Sequence, residues 1–134
     1  MTRILLVDDD EAIREATTMM LESRGYDVVA APDGKAAVEK IRTGPFDIVI
    51  VDLFMPGMDG LETTRAIRQC DPSVPVIAVS GFMLGDRLLE MPNFGSMAAE
   101  AGACATLYKP FRPDALLNAI AGALHGPAPI AAVS

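Results

Sequence analysis

The chain has 134 residues, the size of one domain, and its 51% hydrophobic content supplies a core built mostly from aliphatics, aromatics being only 5%. A net charge of −7 without any Lys/Arg cluster argues against a nucleic-acid surface, and no apolar stretch approaches the ~20 residues that span a bilayer. Cys70 and Cys104 fit no metal or redox spacing, and Met1-Thr2-Arg3 leads straight into a strand without a signal peptide, so a reduced, cytoplasmic setting is expected.

The first strand is predicted over Arg3 to Val7 and a helix over about Asp10 to Arg24, where Ile13, Ala16, Thr17, Met20 and Leu21 recur at helical spacing. Gly25 stops that helix. Asp27 to Ala31 reads as the second strand. Pro32-Asp33-Gly34 then turns into a helix from Lys35 to Arg42 with Ala37, Val38 and Ile41 inward, broken by Gly44-Pro45. Ile48 to Asp52 is the third strand. A loop from Leu53 to Gly60 leads to a helix from Leu61 to Cys70 facing Leu61, Thr64 and Ile67 inward. The fourth strand runs from Pro75 to Ser80 and the fifth from Ala105 to Tyr108, where Cys104 is expected to be a small buried hydrophobe. The last helix starts with Pro113 and Asp114, both favourable there, and buries Leu116, Leu117, Ile120 and Leu124.

Strand alternating with helix five times predicts one α/β domain, a doubly wound parallel sheet with helices on both faces. Residues 1–125 form that domain, and 126–134 read as a flexible C-terminal tail. In such sheets the ligand site lies beyond the carboxyl ends of the strands. The residues there are Asp8, Asp9, Asp10, Asp52, Ser80 and Lys109. Crowded carboxylates repel one another unless a cation sits among them, and their oxygens suit Mg²⁺. A carboxylate can attack phosphorus through one oxygen, and phosphoryl transfer needs positive charge and donors, which Lys109 and Ser80 can supply. Taken singly, each residue has a plainer reading: Asp10 as a helix cap, Asp52 in a turn, Ser80 as a strand-end hydroxyl, Lys109 as a solvated charge. Their collection on one sheet edge favours the chemical reading.

The ordered set Leu6-Val7-Asp8-Asp9-Asp10, Val51-Asp52-Leu53-Phe54-Met55-Pro56-Gly57-Met58-Asp59-Gly60, Val79-Ser80-Gly81, Ala101-Gly102-Ala103 and Lys109-Pro110-Phe111 resembles the receiver domain of two-component response regulators, from about Thr2 to Leu124. The resemblance implies a five-stranded flavodoxin-like sheet in the order 2-1-3-4-5. It implies that Asp52 accepts phosphate from a sensor histidine kinase, a histidine phosphotransfer protein or a small phosphodonor. It implies that Asp9, Asp52 and the Phe54 carbonyl bind Mg²⁺, with Asp8 acting largely through water, and that Ser80 and Lys109 hold the phosphoryl oxygens. Lys109-Pro110 is then a cis bond. A downstream protein is expected to read the state, without nucleic-acid or membrane binding. The domain is expected to catalyse only its own phosphorylation and dephosphorylation.

The pattern departs at two places. Receivers commonly carry an aromatic three residues before the lysine, where this chain has Thr106; Tyr108 is expected to replace it only from a different direction. The Gly81–Glu100 stretch is longer than usual and Met/Phe-rich. With Pro92 inside it, an irregular or partly unwound element is expected, acting as a mobile output surface. Phe54 and Phe82 are expected to hinder attacking water and lengthen the phosphoryl lifetime. The competing readings are a Mg²⁺-dependent aspartyl-phosphate phosphohydrolase, a flavodoxin-like cofactor binder, a module that has lost phosphorylation, and a receiver piece of a larger regulator. The first wants an acid where Phe54 stands, and the second wants a Gly-rich loop after the first strand.

Overall fold

A computed structural model of the chain describes residues 2–53, 60–80, 82–84, 87–89, 94–108 and 112–124, of which 80, 82–84, 87–89, 94–96 and 108 are described by backbone alone. In chain order the elements are β1 (Arg3–Val7), α1 (Glu11–Ser23), β2 (Asp27–Ala31), α2 (Gly34–Thr43), β3 (Ile48–Asp52) and α3 (Gly60–Cys70), then β4 (Val76–Ser80), β5 (Phe82–Leu84), β6 (Arg87–Leu89), α4 (Phe94–Ala101), β7 (Ala105–Tyr108) and α5 (Pro113–Leu124). The main sheet is parallel in the order β2-β1-β3-β4-β7, which is the expected order once the β5–β6 hairpin is set aside.

Strand period divides the core. Leu5, Val7, Val49, Val51, Val76 and Ala78 pack with Ala37, Ile41, Ile67 and Ala98 on the α2/α3/α4 face. Ile4, Leu6, Ile48, Ile50, Ile77 and Val79 pack with Leu21, Leu116 and Ile120 on the α1/α5 face. Being buried on both sides, the central strands read as unbroken apolar runs. The helix ends are set by local chemistry. The Asp10 carboxylate accepts from the Ile13 N–H at 3.1 Å and caps α1. At its other end Gly25 adopts φ +90°, and the Tyr26 and Gly25 N–H groups bond to the Leu21 and Glu22 carbonyls, a Schellman closure.

Four expectations are corrected. Of the α1 positions at helical spacing only Leu21 is fully buried; Ile13 is 41% exposed, because α1 presses on the sheet through its C-terminal end. Cys104 is exposed, since it precedes edge strand β7 and only its backbone enters the sheet, donating to the Val76 carbonyl at 2.8 Å. The described residues after Ser80 are regular in place of the irregular element expected: an antiparallel pair of strands joins Phe82 with Leu89, Met83 with Leu88 and Leu84 with Arg87, and an eight-residue helix spans Phe94–Ala101. Positions 106 and 108, two apart on β7, lie on one face of the sheet and not on opposite faces as expected; the register pairs 106 with Ala78 and 108 with Ser80. No helix among the described residues is long and apolar enough to cross a membrane.

Arg68 ties α3 to α4 at the edge away from the acids. Its Nε and Nη2 donate to the Gly102 carbonyl at 3.0 and 2.7 Å, and its Nη1 donates to the carbonyls of Pro72 (3.2 Å) and Val74. Gly102 has φ +112°, and a Cβ there would lie 2.7 Å from the Arg68 Cγ, so glycine serves both conformation and clearance. Replacing the planar fork removes several charge-assisted bonds at once. Arg68→Met is expected to lower stability by about 1–3 kcal/mol, read as a lower urea midpoint at unchanged slope.

Candidate functional site

The register pairs Val7, the last residue of β1, with Val51, the residue before the last of β3, so the residues that follow each, Asp8 and Asp52, lie side by side. Both are 5% exposed, whereas Asp9 is exposed. One carboxylate oxygen from each of Asp8, Asp9 and Asp52 lies within 4.8 Å of the others. A cluster of carboxylate oxygens suits a small hard cation such as Mg²⁺, which takes one or two protein carboxylates and fills its shell with water and phosphate oxygens. The donor set therefore fits the expected metal.

Each acid is held by its element. The Asp8 N–H extends the β1–β2 ladder to the Ala31 carbonyl (3.2 Å), and its Oδ1 accepts from the Asp10 N–H (2.9 Å). Asp10 faces the helix as its cap, which separates it from the other two acids as expected. Asp52 pairs with Val79 on β4, and the Leu53 N–H donates to the Val79 carbonyl at 2.9 Å, so β3 stays paired through its last residue. Ser80 is one position beyond that pair on β4, at the same edge, and its backbone pairs with Tyr108. The Ser80 side chain, Phe54, the Phe82 side chain, Lys109, the Lys109-Pro110 bond and the tail 126–134 lie outside the described residues.

Two residues of the site went unread in the sequence. Arg14 donates from Nη1 to the Asp8 carbonyl at 2.8 Å. Gly60 packs against the end of β3: a Cβ there would lie 2.3 Å from the Leu53 Cα and 2.6 Å from the Asp52 carbonyl oxygen. Only glycine lets the start of α3 approach so closely, and the Thr64 hydroxyl secures it by donating to the Gly60 carbonyl at 2.8 Å. Spacing alone carries no signal for either contact, because both depend on chain segments meeting in space.

The response regulator receiver domain family matches residues 4–121, and the chain belongs to it. It is thus a phosphorylation-activated switch domain of two-component signalling. The CAI-1 autoinducer sensor kinase/phosphatase CqsS of Vibrio cholerae is 36% identical over 119 residues, which are 89% of this chain and 17% of that protein. The structure of the chemotaxis protein CheY4 of Vibrio cholerae is similar with a TM-score of 0.82 and 31% identity, over 92% of this chain and 99% of that one. The response regulator TrrA of Thermotoga maritima, solved in complex with Mg²⁺-BeF, is similar with a TM-score of 0.79 and 31% identity, over 92% and 100% of the two chains. Among curated relatives the chain spans 17% of one and 47% of another, so it corresponds to less than half of either.

The Gly60 contact is testable. Gly60→Ala is expected to displace the β3 end and cost about 1–3 kcal/mol in urea unfolding, with the Asp52 and Leu53 amide resonances shifted most. Asp10→Ala is expected to cost about 1 kcal/mol by loss of the cap while leaving those resonances in place.

Proposed function

We propose that Asp52 accepts a phosphoryl group from a sensor histidine kinase or a histidine phosphotransfer protein in a Mg²⁺-dependent reaction, and that a downstream protein reads the modified state. The observation that carries this reading is the convergence of the Asp8, Asp9 and Asp52 carboxylate oxygens within 4.8 Å at the ends of adjacent strands. Asp9 and Asp52 would hold the cation directly, with the Phe54 carbonyl, and Asp8 through water. Bound there, Mg²⁺ supplies positive charge to the transferring phosphoryl oxygens.

The chain's own groups do the rest. An Asp52 carboxylate oxygen attacks phosphorus in line; the new O–P bond forms as the donor's bond to phosphorus breaks, and the donor leaves with that electron pair. Lys109 neutralises charge on the phosphoryl oxygens and Ser80 donates its hydroxyl to them. Hydrolysis by water returns the carboxylate, so catalysis is confined to the domain's own modification. Residues 1–125 act as one unit in this reading, supported by the family match over 4–121 and by α5 ending at Leu124. The acidic charge of −7 favours a protein over a nucleic acid as the surface the domain meets, and two exposed free thiols, Cys70 and Cys104, fit a reducing cytoplasm.

With acetyl phosphate and Mg²⁺, the intact chain is expected to gain the mass of one phosphoryl group, while Asp52→Asn or addition of EDTA prevents the gain. Lys109→Ala is expected to slow transfer about 10²-fold, measured as the rate of mass gain. The same gain in Asp52→Asn would overturn the assignment.

A further inference from the structure

We infer that Arg14 is a positioning residue for the Mg²⁺ ligands, holding the β1–α1 turn in the shape that presents Asp8 and Asp9 to the cation; the inference rests on the reading of the site proposed above. Three bonds of Asp8 bear on this turn: its N–H to the Ala31 carbonyl (3.2 Å), its Oδ1 to the Asp10 N–H (2.9 Å) and its carbonyl to Arg14 Nη1 (2.8 Å). The first ties the start of the turn to β2, and the second lies within the turn itself. The third comes from the first turn of α1, whose backbone is itself fixed by the Arg14 N–H donating to the Asp10 carbonyl at 2.8 Å.

Arg14 therefore closes a ring that runs along the chain from Asp8 to Arg14 and back through the guanidinium. Asp9 lies inside that ring. It is exposed, so packing does not hold it, yet its carboxylate shares the 4.8 Å cluster with Asp8 and Asp52. Its position follows from the residues on either side. Arg14 is partly buried, and its Nη1 donates to a backbone carbonyl oxygen, which steadies the turn on which the clustered carboxylates Asp8 and Asp9 stand.

Substitution sets two effects against each other, and their signs differ. Loss of a positive charge beside a cation site strengthens Mg²⁺ binding. Loss of the bond that holds the ligand-bearing turn weakens it, typically by about tenfold for a group that orients a metal ligand. A positioning role requires the second effect to win.

The test is calorimetric titration of Mg²⁺ into the metal-stripped full chain, in wild type, Arg14→Met, Arg14→Lys and Asp9→Asn. The expected result is about tenfold weaker binding in Arg14→Met, most of the affinity regained in Arg14→Lys, and a transfer rate from acetyl phosphate near wild type once Mg²⁺ is saturating. Equal or tighter binding in Arg14→Met overturns the inference, as does slowed transfer at saturating Mg²⁺ with affinity unchanged. Should Arg14→Met fail to fold by circular dichroism, Arg14→Gln, uncharged and shorter, takes its place under the same criteria. No Mg²⁺ binding by wild type, or full binding by Asp9→Asn, would instead overturn the site reading itself.

Discussion

Two buried carboxylates forced together by strand register are the constraint from which the rest of this structure follows. Parallel pairing of Val7 with Val51 sets the residues that follow them, Asp8 and Asp52, beside each other, both 5% exposed. Within the 4.8 Å cluster, two ionised groups repel by about 3–4 kcal/mol at an effective dielectric near 20. A domain's whole stability is only about 5–15 kcal/mol, so the arrangement is kept against a real cost. The neighbouring elements oppose the acids' separation: the Asp10 cap, the Arg14 bond to Asp8 and the close approach of Gly60 to the Asp52–Leu53 backbone. The three clustered carboxylate oxygens fit a small hard cation, which would offset the repulsion those contacts do not remove.

The same strand period sorts the residues at this edge onto the two faces of the sheet. The alternation that sends Ile4 and Leu6, and Ile48 and Ile50, to the α1/α5 face also gives that face the rows on which Asp8 and Asp52 fall. Position 80 belongs to the other row, with Val76 and Ala78, and so do Thr106 and position 108. The β5–β6 hairpin starts two residues beyond Ser80, and α4 follows it to the Arg68 clasp at Gly102. A change at Ser80 is thus connected by a short run of chain to an element bounded at its far end by a fixed arginine.

Much of this was legible in the sequence because it is local. Unbroken runs such as Ile48 to Val51 specify buried parallel strands, and β1, β2, β3 and β7 fall where the pattern puts them. Asp10 and Gly25 mark the limits of α1 by chemistry that involves only its own backbone. The β5–β6 pair is less legible: Gly85-Asp86 between Leu84 and Arg87 is a two-residue hairpin signal, but Pro92 nearby also signals an interrupted helix, and the sequence carries both. Ile13 and Cys104 were misjudged for another reason: periodicity and apolar character say which face a residue takes, not how far the element extends past the sheet. Arg14 and Gly60 act through contacts between β1 and α1 and between α3 and β3, which spacing cannot show.

The most direct measurement is chemical mapping of the modified residue. The chain, phosphorylated in the presence of Mg²⁺, is reduced with borohydride, which cleaves an acyl phosphate and leaves an alcohol in place of the carboxyl, and its peptides are sequenced by mass spectrometry. The account predicts that the peptide containing Ile48-Val49-Ile50-Val51 carries homoserine at position 52, and that the peptides containing Asp8 and Asp9 are unchanged. Homoserine at position 8 or 9, or a phosphoryl group that survives reduction elsewhere in the chain, would contradict it.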